Sequence, residues 1–369
     1  MERIRLSRPT IDDQTKKELM ETLDSGWFGN GPKTAELEEL LAKKIGMKYC
    51  VCTNSGTAAL HLALIAYDIK GGELITTPLT FVSDVLVGEY QGMDVTFADI
   101  KEDDLCIDPE TIKVTEKTKA IIAVDSHGRR ADYKRIKQIS NRSATHEDRP
   151  LLIEDAAHAM YTEGIGKDAD ILMLSFQAVK TMPTADGGAL LTNDEEVYKK
   201  LRSLRWLNVE KSTYERHLGS KYTWNYDISR GEGIKAYMND IQATIALGQL
   251  RRLDETLAKR RSIQAVYNYA FKDIPQIKVP MFSETVQYWT MQCENRDKLS
   301  EHLEECGIDT SVHFKPLSEM SYWKKAKKTE LPVTDRVWLK LLSLPVHDAL
   351  TALEQEKVIR EVKSFYAKN

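Results

Sequence analysis

Between Tyr49 and Asn193, short apolar runs alternate with stretches of helical periodicity, and this alternation constrains the fold more than any other feature of the chain. The strand candidates are YCVCT (49–53), ELITTP (73–78), VTFADI (95–100), AIIAVD (120–125), LLIEDA (151–156), ILMLSF (171–176) and GALLTN (188–193). A strand covered on both faces reads as a continuous apolar run, and strands separated by helical segments are joined by crossovers. The pattern therefore predicts an α/β fold with a largely parallel sheet, whose ligands bind beyond the carboxyl ends of the strands.

A long helical pattern follows from Met238 to Phe271, with Ile241, Ile245, Leu250, Leu253 and Leu257 spaced at about one turn. It stops near Pro275, because proline disfavours helical geometry in the residue before it. Beyond lie a strand-like run near Gln287 to Cys293 and a helix near Asp297 to Cys306, with Gly307 as its C-cap. A division within the long helix gives two domains, a large one over 1–255 that includes the N-terminal segment and a small one over 256–369. Between Trp206 and Tyr237 the periodicity dissolves into aromatic, charged and glycine residues, and so long a loop in a compact enzyme is usually functional.

A net charge of −4 lacks the basic excess of a nucleic-acid binder, so an anionic ligand must be held by a local arrangement. No run of about 18 apolar residues exists to span a membrane, and MERIRLSRPTIDD lacks the apolar core of a signal peptide. The five cysteines are scattered and odd in number, which argues against a disulfide framework. Cys50 and Cys52 share one strand face and read as buried thiols, not metal ligands. The expectation is a soluble, cytoplasmic protein without a metal centre.

The chemistry-bearing residues fall at strand ends. Thr53-Asn54-Ser55-Gly56-Thr57 closes the first strand and opens a helix, with Ser55 as N-cap and Gly56 allowing an anion to approach backbone N–H groups. By itself this is equally a capped turn. Asp155 ends LLIEDA and is placed to meet a cationic ring nitrogen, or to cap the next helix; His158 beside it suits a ligand or simple packing. Phe81 follows ELITTP and can lie against an aromatic ligand or in the core. Ser175 and Gln177 point away from Phe176, and Lys180 sits on a loop just before Gly187-Gly188. A phosphate cradle, a stacking ring, a carboxylate and an imine-forming lysine together make the kit that pyridoxal phosphate requires.

These motifs resemble those of the DegT/DnrJ/EryC1/StrS family of sugar aminotransferases, pyridoxal-phosphate enzymes of the aspartate-aminotransferase fold (fold type I). SGTAAL (55–60), EDAAHA (154–159), the serine and lysine of SFQAVK (175–180) and DGGALLTND (186–194) carry the likeness, in order. So do Gly29-Asn30-Gly31-Pro32 before the first strand, MNDIQATIALGQL (238–250), GIDTSVHFKPL (307–317) and LSLPVH (342–347). The resemblance implies that Ser55, Gly56 and Thr57 hold the phosphate with Ser175, and that Gln177 lies close to it. It implies that Phe81 stacks on the ring, Asp155 binds its nitrogen, His158 touches its oxygen side and Lys180 forms the Schiff base. It further implies a homodimer whose sites are completed by the partner's loop before MNDIQ, an amino-acid donor such as glutamate, and a nucleotide-linked keto sugar as acceptor.

Three departures stand out. An asparagine of that loop commonly reaches the other subunit's phosphate; the matching position here is Lys235, with Asn225 a second candidate. Asp125 and Arg130 replace a histidine and a proline in a motif that borders the cofactor, and Thr181-Met182 after the lysine is uncommon. Retention of Lys180 disfavours the dehydratase chemistry of relatives that carry histidine there. Amination of a non-sugar ketone and a non-catalytic regulatory role are the remaining alternatives. His313 and Lys315, with the 206–237 loop, would set the choice of sugar.

Overall fold

A computed structural model describes all residues except 1–2, 143–148, 220–223, 225, 229–230, 324–326, 329 and 369. The chain opens with helices α1 (Asp13–Asp24) and α2 (Pro32–Ile45). Strand β1 (Tyr49–Thr53) leads into α3 (Gly56–Ala66), then β2 (Glu73–Thr76), α4 (Ser83–Tyr90), β3 (Asp94–Phe97), β4 (Thr118–Val124) and α5 (Tyr133–Arg142). Next come β5 (Leu151–Asp155), β6 (Ile171–Ser175), β7 (Gly188–Thr192), α6 (Glu195–Leu204) and α7 (Thr213–Gly219). The long α8 (Asp240–Phe271) precedes β8 (Ile277–Lys278), β9 (Trp289–Cys293) and α9 (Arg296–Glu305). A short β10 (Lys327–Lys328), α10 (Pro332–Val337), β11 (Leu341–Leu344) and α11 (Ala352–Lys368) complete the chain.

The main sheet has the order β1-β7-β6-β5-β4-β2-β3-β10. Within it β7 pairs antiparallel with both β1 and β6, and the other pairs are parallel. Each run expected as a strand in this region contains one: β1 keeps its expected bounds, β3 and β4 begin slightly earlier, and every strand after β1 ends short of the expected run. The reason is burial on both faces: Ala120 through Val124 are all buried, as are Leu151 through Asp155. α3 is apolar around most of its circumference (Leu60, Leu62, Leu64 and Ile65 are buried) because it packs between the sheet and its helical neighbours.

β8, β9 and β11 form a separate three-stranded antiparallel sheet with its own core around Trp289, Tyr267 and Phe271. α8 serves both cores. Leu253 and Leu257 pack with the large sheet, whereas Ile263, Tyr267 and Phe271 pack with the small one. We propose that the two units divide within this helix. Ile4, near the start of the chain, belongs to the small core and bridges to Ile308. No helix among the described residues is long and apolar enough to cross a membrane.

Buried charges tie the elements together. Asp240 at the head of α8 accepts from the N–H groups of Gly31, Lys33 and Thr34, holding the first turn of α2 by its positive end. Cys50 and Cys52 are buried free thiols on the sheet.

Candidate active site

Parallel strands end on a common rim, and the chemistry collects there. Asp155 is the last residue of β5, Ser175 the last of β6 and Val124 the last of β4. Because β7 runs the other way, its first residue, Gly188, lies on the same rim, paired with both Thr53 and Ser175. A cavity of about 480 Å³ opens above it, lined by Ser55, Gly56, Thr57, Phe81, Asp155, His158, Ser175, Gln177 and Lys180. Residues spread over more than a hundred positions of sequence are thus brought to one chamber.

The turn after β1 is shaped for an anion. Ser55 is extended and its Oγ accepts the Ala58 N–H at 3.1 Å, which leaves the Gly56 and Thr57 N–H groups without partners in the helix. They lie at the positive end of α3. The turn is pressed close to its neighbour: a Cβ on Gly188 would stand 2.7 Å from Gly56 N, Ser55 C and Ser55 O. Only glycine leaves the turn where it is.

Lys180 is half-buried on the cavity wall. Enclosure lowers its ammonium from 10.5 to about 8, opposed by attraction to Asp155 and Asp84. Asp155 is 4% exposed and accepts the Ala157 N–H at 2.8 Å. Burial raises its carboxyl, while that hydrogen bond, a second from Asp84 and the charge of Lys180 pull it back.

A cluster of rings closes the opposite side. Burial, reinforced by the Lys180 charge, keeps His158 neutral, and its Nδ1 is buried without a hydrogen-bond partner among the described residues. An unpaired buried nitrogen at a cavity wall is a place for a ligand's polar atom. His127 is also held neutral, by burial and then by the Arg129 charge. Its Nε2 lies 3.0 Å from the His313 carbonyl, so that nitrogen carries the proton and Nδ1 accepts from Ser126 Oγ at 2.7 Å. His313 stacks on Tyr288 with centroids 3.7 Å apart, and burial lowers it to about 3. Phe314 lies nearly parallel to the His158 ring at 5.8 Å.

Some expectations land elsewhere. Asp125 and Arg130 do not line the cavity. Asp125 accepts the Ala131 N–H, while Arg130 forks onto buried Glu154 (2.9 and 3.3 Å) and reaches Asp168. The motif meets the site through His127, whose ring faces His158. Lys235 is exposed, its ammonium 5.6 Å from the Trp206 ring, away from this chain's own cavity. Asn225 lies outside the described residues. His313 lines the cavity, and Lys315 does not.

Sequence reading missed Thr80, Ser83, Asp186, Tyr288 and Phe314, which also line the chamber. Thr80 and Ser83 flank Phe81 on the loop after β2 and were within reach of the same reasoning. Tyr288 and Phe314 come from the C-terminal part of the chain, and no local pattern marks them.

The residues fit pyridoxal phosphate on two structural observations: a helix N-terminus opened by a glycine contact, and an unpaired buried nitrogen facing the chamber that holds Lys180 and Asp155. Comparison with known proteins agrees. The chain is 34% identical over 378 residues to the spore coat polysaccharide biosynthesis protein SpsC of Bacillus subtilis, covering 97% of this chain and 95% of that one. It is similar in structure to the sugar aminotransferase CalS13 of Micromonospora echinospora (TM-score 0.89, 29% identity, 98% of this chain and 99% of that). It is equally similar to Spr1654 of Streptococcus pneumoniae in its PMP-form (TM-score 0.91, 29% identity, 99% of each chain). Residues 9–363 match a single family along nearly the whole chain, and the protein belongs to the DegT/DnrJ/EryC1/StrS aminotransferase family, whose cofactor is pyridoxal phosphate.

Proposed function

We propose that this enzyme moves an amino group from an amino acid, with glutamate the expected donor, to a keto sugar linked to a nucleotide. In this reading it works as a cytoplasmic homodimer whose sites are shared, with Lys235 or Asn225 of one subunit serving the phosphate of the other. The observation that carries the reading is the convergence of Lys180, Asp155, Phe81 and the α3 N-terminus on one cavity.

Each residue then has a task. The Gly56 and Thr57 N–H groups, with the Ser55 and Ser175 hydroxyls, bind the phosphate, and Gln177 lies beside them. Phe81 covers one face of the ring, Asp155 accepts from its protonated nitrogen, and the free Nδ1 of His158 meets its oxygen side. Bound pyridoxal phosphate supplies the electron sink that stabilises negative charge at the amino-bearing carbon. Lys180, with its amine held near 8, is partly neutral at working pH and so can take and return the proton at that carbon. His127, His158 and His313 are neutral and add no cationic charge beside it. Tyr288 and Phe314 wall the chamber against water.

The test is an absorption spectrum. Added pyridoxal phosphate should give a yellow band that glutamate bleaches into the near ultraviolet, and a nucleotide-linked keto sugar should restore it with a new amine detected by mass spectrometry. A band indifferent to glutamate overturns the donor. Lys180→Ala should keep the cofactor bound non-covalently and lose turnover; catalysis retained by that variant refutes the assignment.

A further inference from the structure

Thr181, the residue directly after the lysine, has no place in the roles above, yet it is buried. Its hydroxyl donates to Gln287 Oε1 at 2.9 Å. The Nε2 of the same glutamine donates to the Val179 carbonyl at 2.8 Å. One carboxamide, 2% exposed, thus bonds the residues on both sides of Lys180 from a segment more than a hundred positions away. Its orientation is fixed by these partners: turned over, it would set its oxygen against the Val179 carbonyl oxygen, two acceptors with no proton between them.

Within the loop, the Lys180 N–H donates to the Gln177 carbonyl at 2.8 Å and the Val179 N–H to Gln177 Oε1 at 3.0 Å. The lysine backbone is therefore held by its own loop on one side and by Gln287 on the other. Gln287 is itself firmly seated. Its N–H donates to the Thr285 carbonyl at 2.9 Å, and buried Arg260 of α8 donates to the carbonyls of Val286 and Gln287 at 3.0 and 3.4 Å. The next residue, Tyr288, stacks on His313 and lines the chamber.

We propose that Gln287 is a positioning residue, with Thr181 as its counterpart: it clamps the backbone on both sides of Lys180, so that the amine reaches one fixed place in the chamber. The inference rests on the reading that Lys180 forms the Schiff base. A lysine amine rides on a flexible four-carbon stem, so what the fold can fix is where that stem starts and which way it leaves. Proton return to a carbon tolerates little error, because a misplacement of about 1 Å can cost about a hundredfold in rate. Gln287 and Tyr288 are also adjacent. The segment that walls the chamber is the one that sets the lysine, and a shift of that wall carries Lys180 with it.

The experiment compares Gln287→Leu, Thr181→Val and Thr181→Ser with wild type. Stopped-flow absorption of the enzyme loaded with pyridoxal phosphate follows the bleaching of the yellow band by glutamate. Leucine removes both bonds, and valine removes the hydroxyl at nearly constant shape. Each should slow bleaching at saturating glutamate about tenfold to a hundredfold, while the half-saturating concentration stays within about threefold. Serine returns the donor and should restore the rate to within about threefold of wild type. The double variant should be scarcely slower than Gln287→Leu alone, because both changes act through one contact. A purely structural role would lower the melting temperature without this selective loss of rate, and rates within about threefold of wild type in the folded variants refute the proposal. Thermal unfolding reports whether each variant folds, and Thr181→Val carries the test if Gln287→Leu does not. Hydrogen exchange of the peptide that holds Lys180, read with and without cofactor, should quicken about tenfold in the valine variant. Unchanged exchange also refutes the proposal. If borohydride reduction fixes the cofactor to a different lysine, or glutamate leaves the wild-type band unchanged, the reading of Lys180 or of the donor fails, while the exchange result still decides the clamp.

Discussion

Gly188→Ala adds one carbon where β7 meets the turn that cradles the phosphate. That carbon would stand 2.7 Å from Gly56 N, Ser55 C and Ser55 O, against about 3.5 Å for a relaxed contact. The obstructing atoms are backbone, so no side chain can swing away, and the turn must retreat by roughly 0.8 Å. β7 cannot yield in its place, because Gly188 is paired with Thr53 on one side and Ser175 on the other. A retreat of that size carries an N–H donor from about 2.9 Å to beyond hydrogen-bond range of a phosphate oxygen. Loss of one bond to a charged group is worth about 1.5–3 kcal/mol, or roughly a tenfold to hundredfold rise in the dissociation constant for pyridoxal phosphate. Overpacking should also cost the apo-enzyme about 1–3 kcal/mol. Fluorescence titration with the cofactor and urea unfolding of the apo-enzyme measure the two effects. Gly29→Ala, where a Cβ would meet nothing within 4 Å, is the control and should change neither. If Gly188→Ala binds within about threefold of wild type and unfolds at the same urea concentration, the cradle is not built as described.

Arg130→Leu should destabilise the fold by about 3–5 kcal/mol, since it leaves Glu154 (0% exposed) buried next to Asp125 without its cation. Urea unfolding checks it, and a loss near zero would mean that Glu154 simply takes up a proton. Lys180 is lowered to about 8 from 10.5, so between those values the folded apo-enzyme holds fewer protons than the unfolded chain and stability rises with pH. Lys180→Met should flatten that rise, as seen by unfolding at several pH values; identical slopes in both proteins would refute the lowered amine. Amine-reactive labelling should likewise modify Lys180 ahead of ordinary lysines near pH 8, with mass spectrometry locating the site.

What the sequence determined by itself is local in origin. A strand buried on both faces needs apolar side chains at every position, so the β4, β5 and β6 segments announced themselves as unbroken runs. The residues that follow them (Ser55 to Thr57, Phe81, Lys180) could be placed at strand ends because the runs stop where polar groups begin. A parallel sheet then puts those ends on one rim, which made a shared site legible before any coordinates.

Tertiary structure decided what depends on approach between distant segments. Tyr288 and Phe314 wall the chamber only because the C-terminal part packs over the rim. Arg130 looked like a residue of the cofactor's border and proved to be the counter-ion of Glu154, since the β4 turn carries it past the rim. Gly188 was visible as one of a glycine pair, but the reason for it, a backbone contact with Ser55 and Gly56, exists only once β7 lies between β1 and β6. Periodicity reports which face of an element is buried; it carries no information about which two buried faces touch.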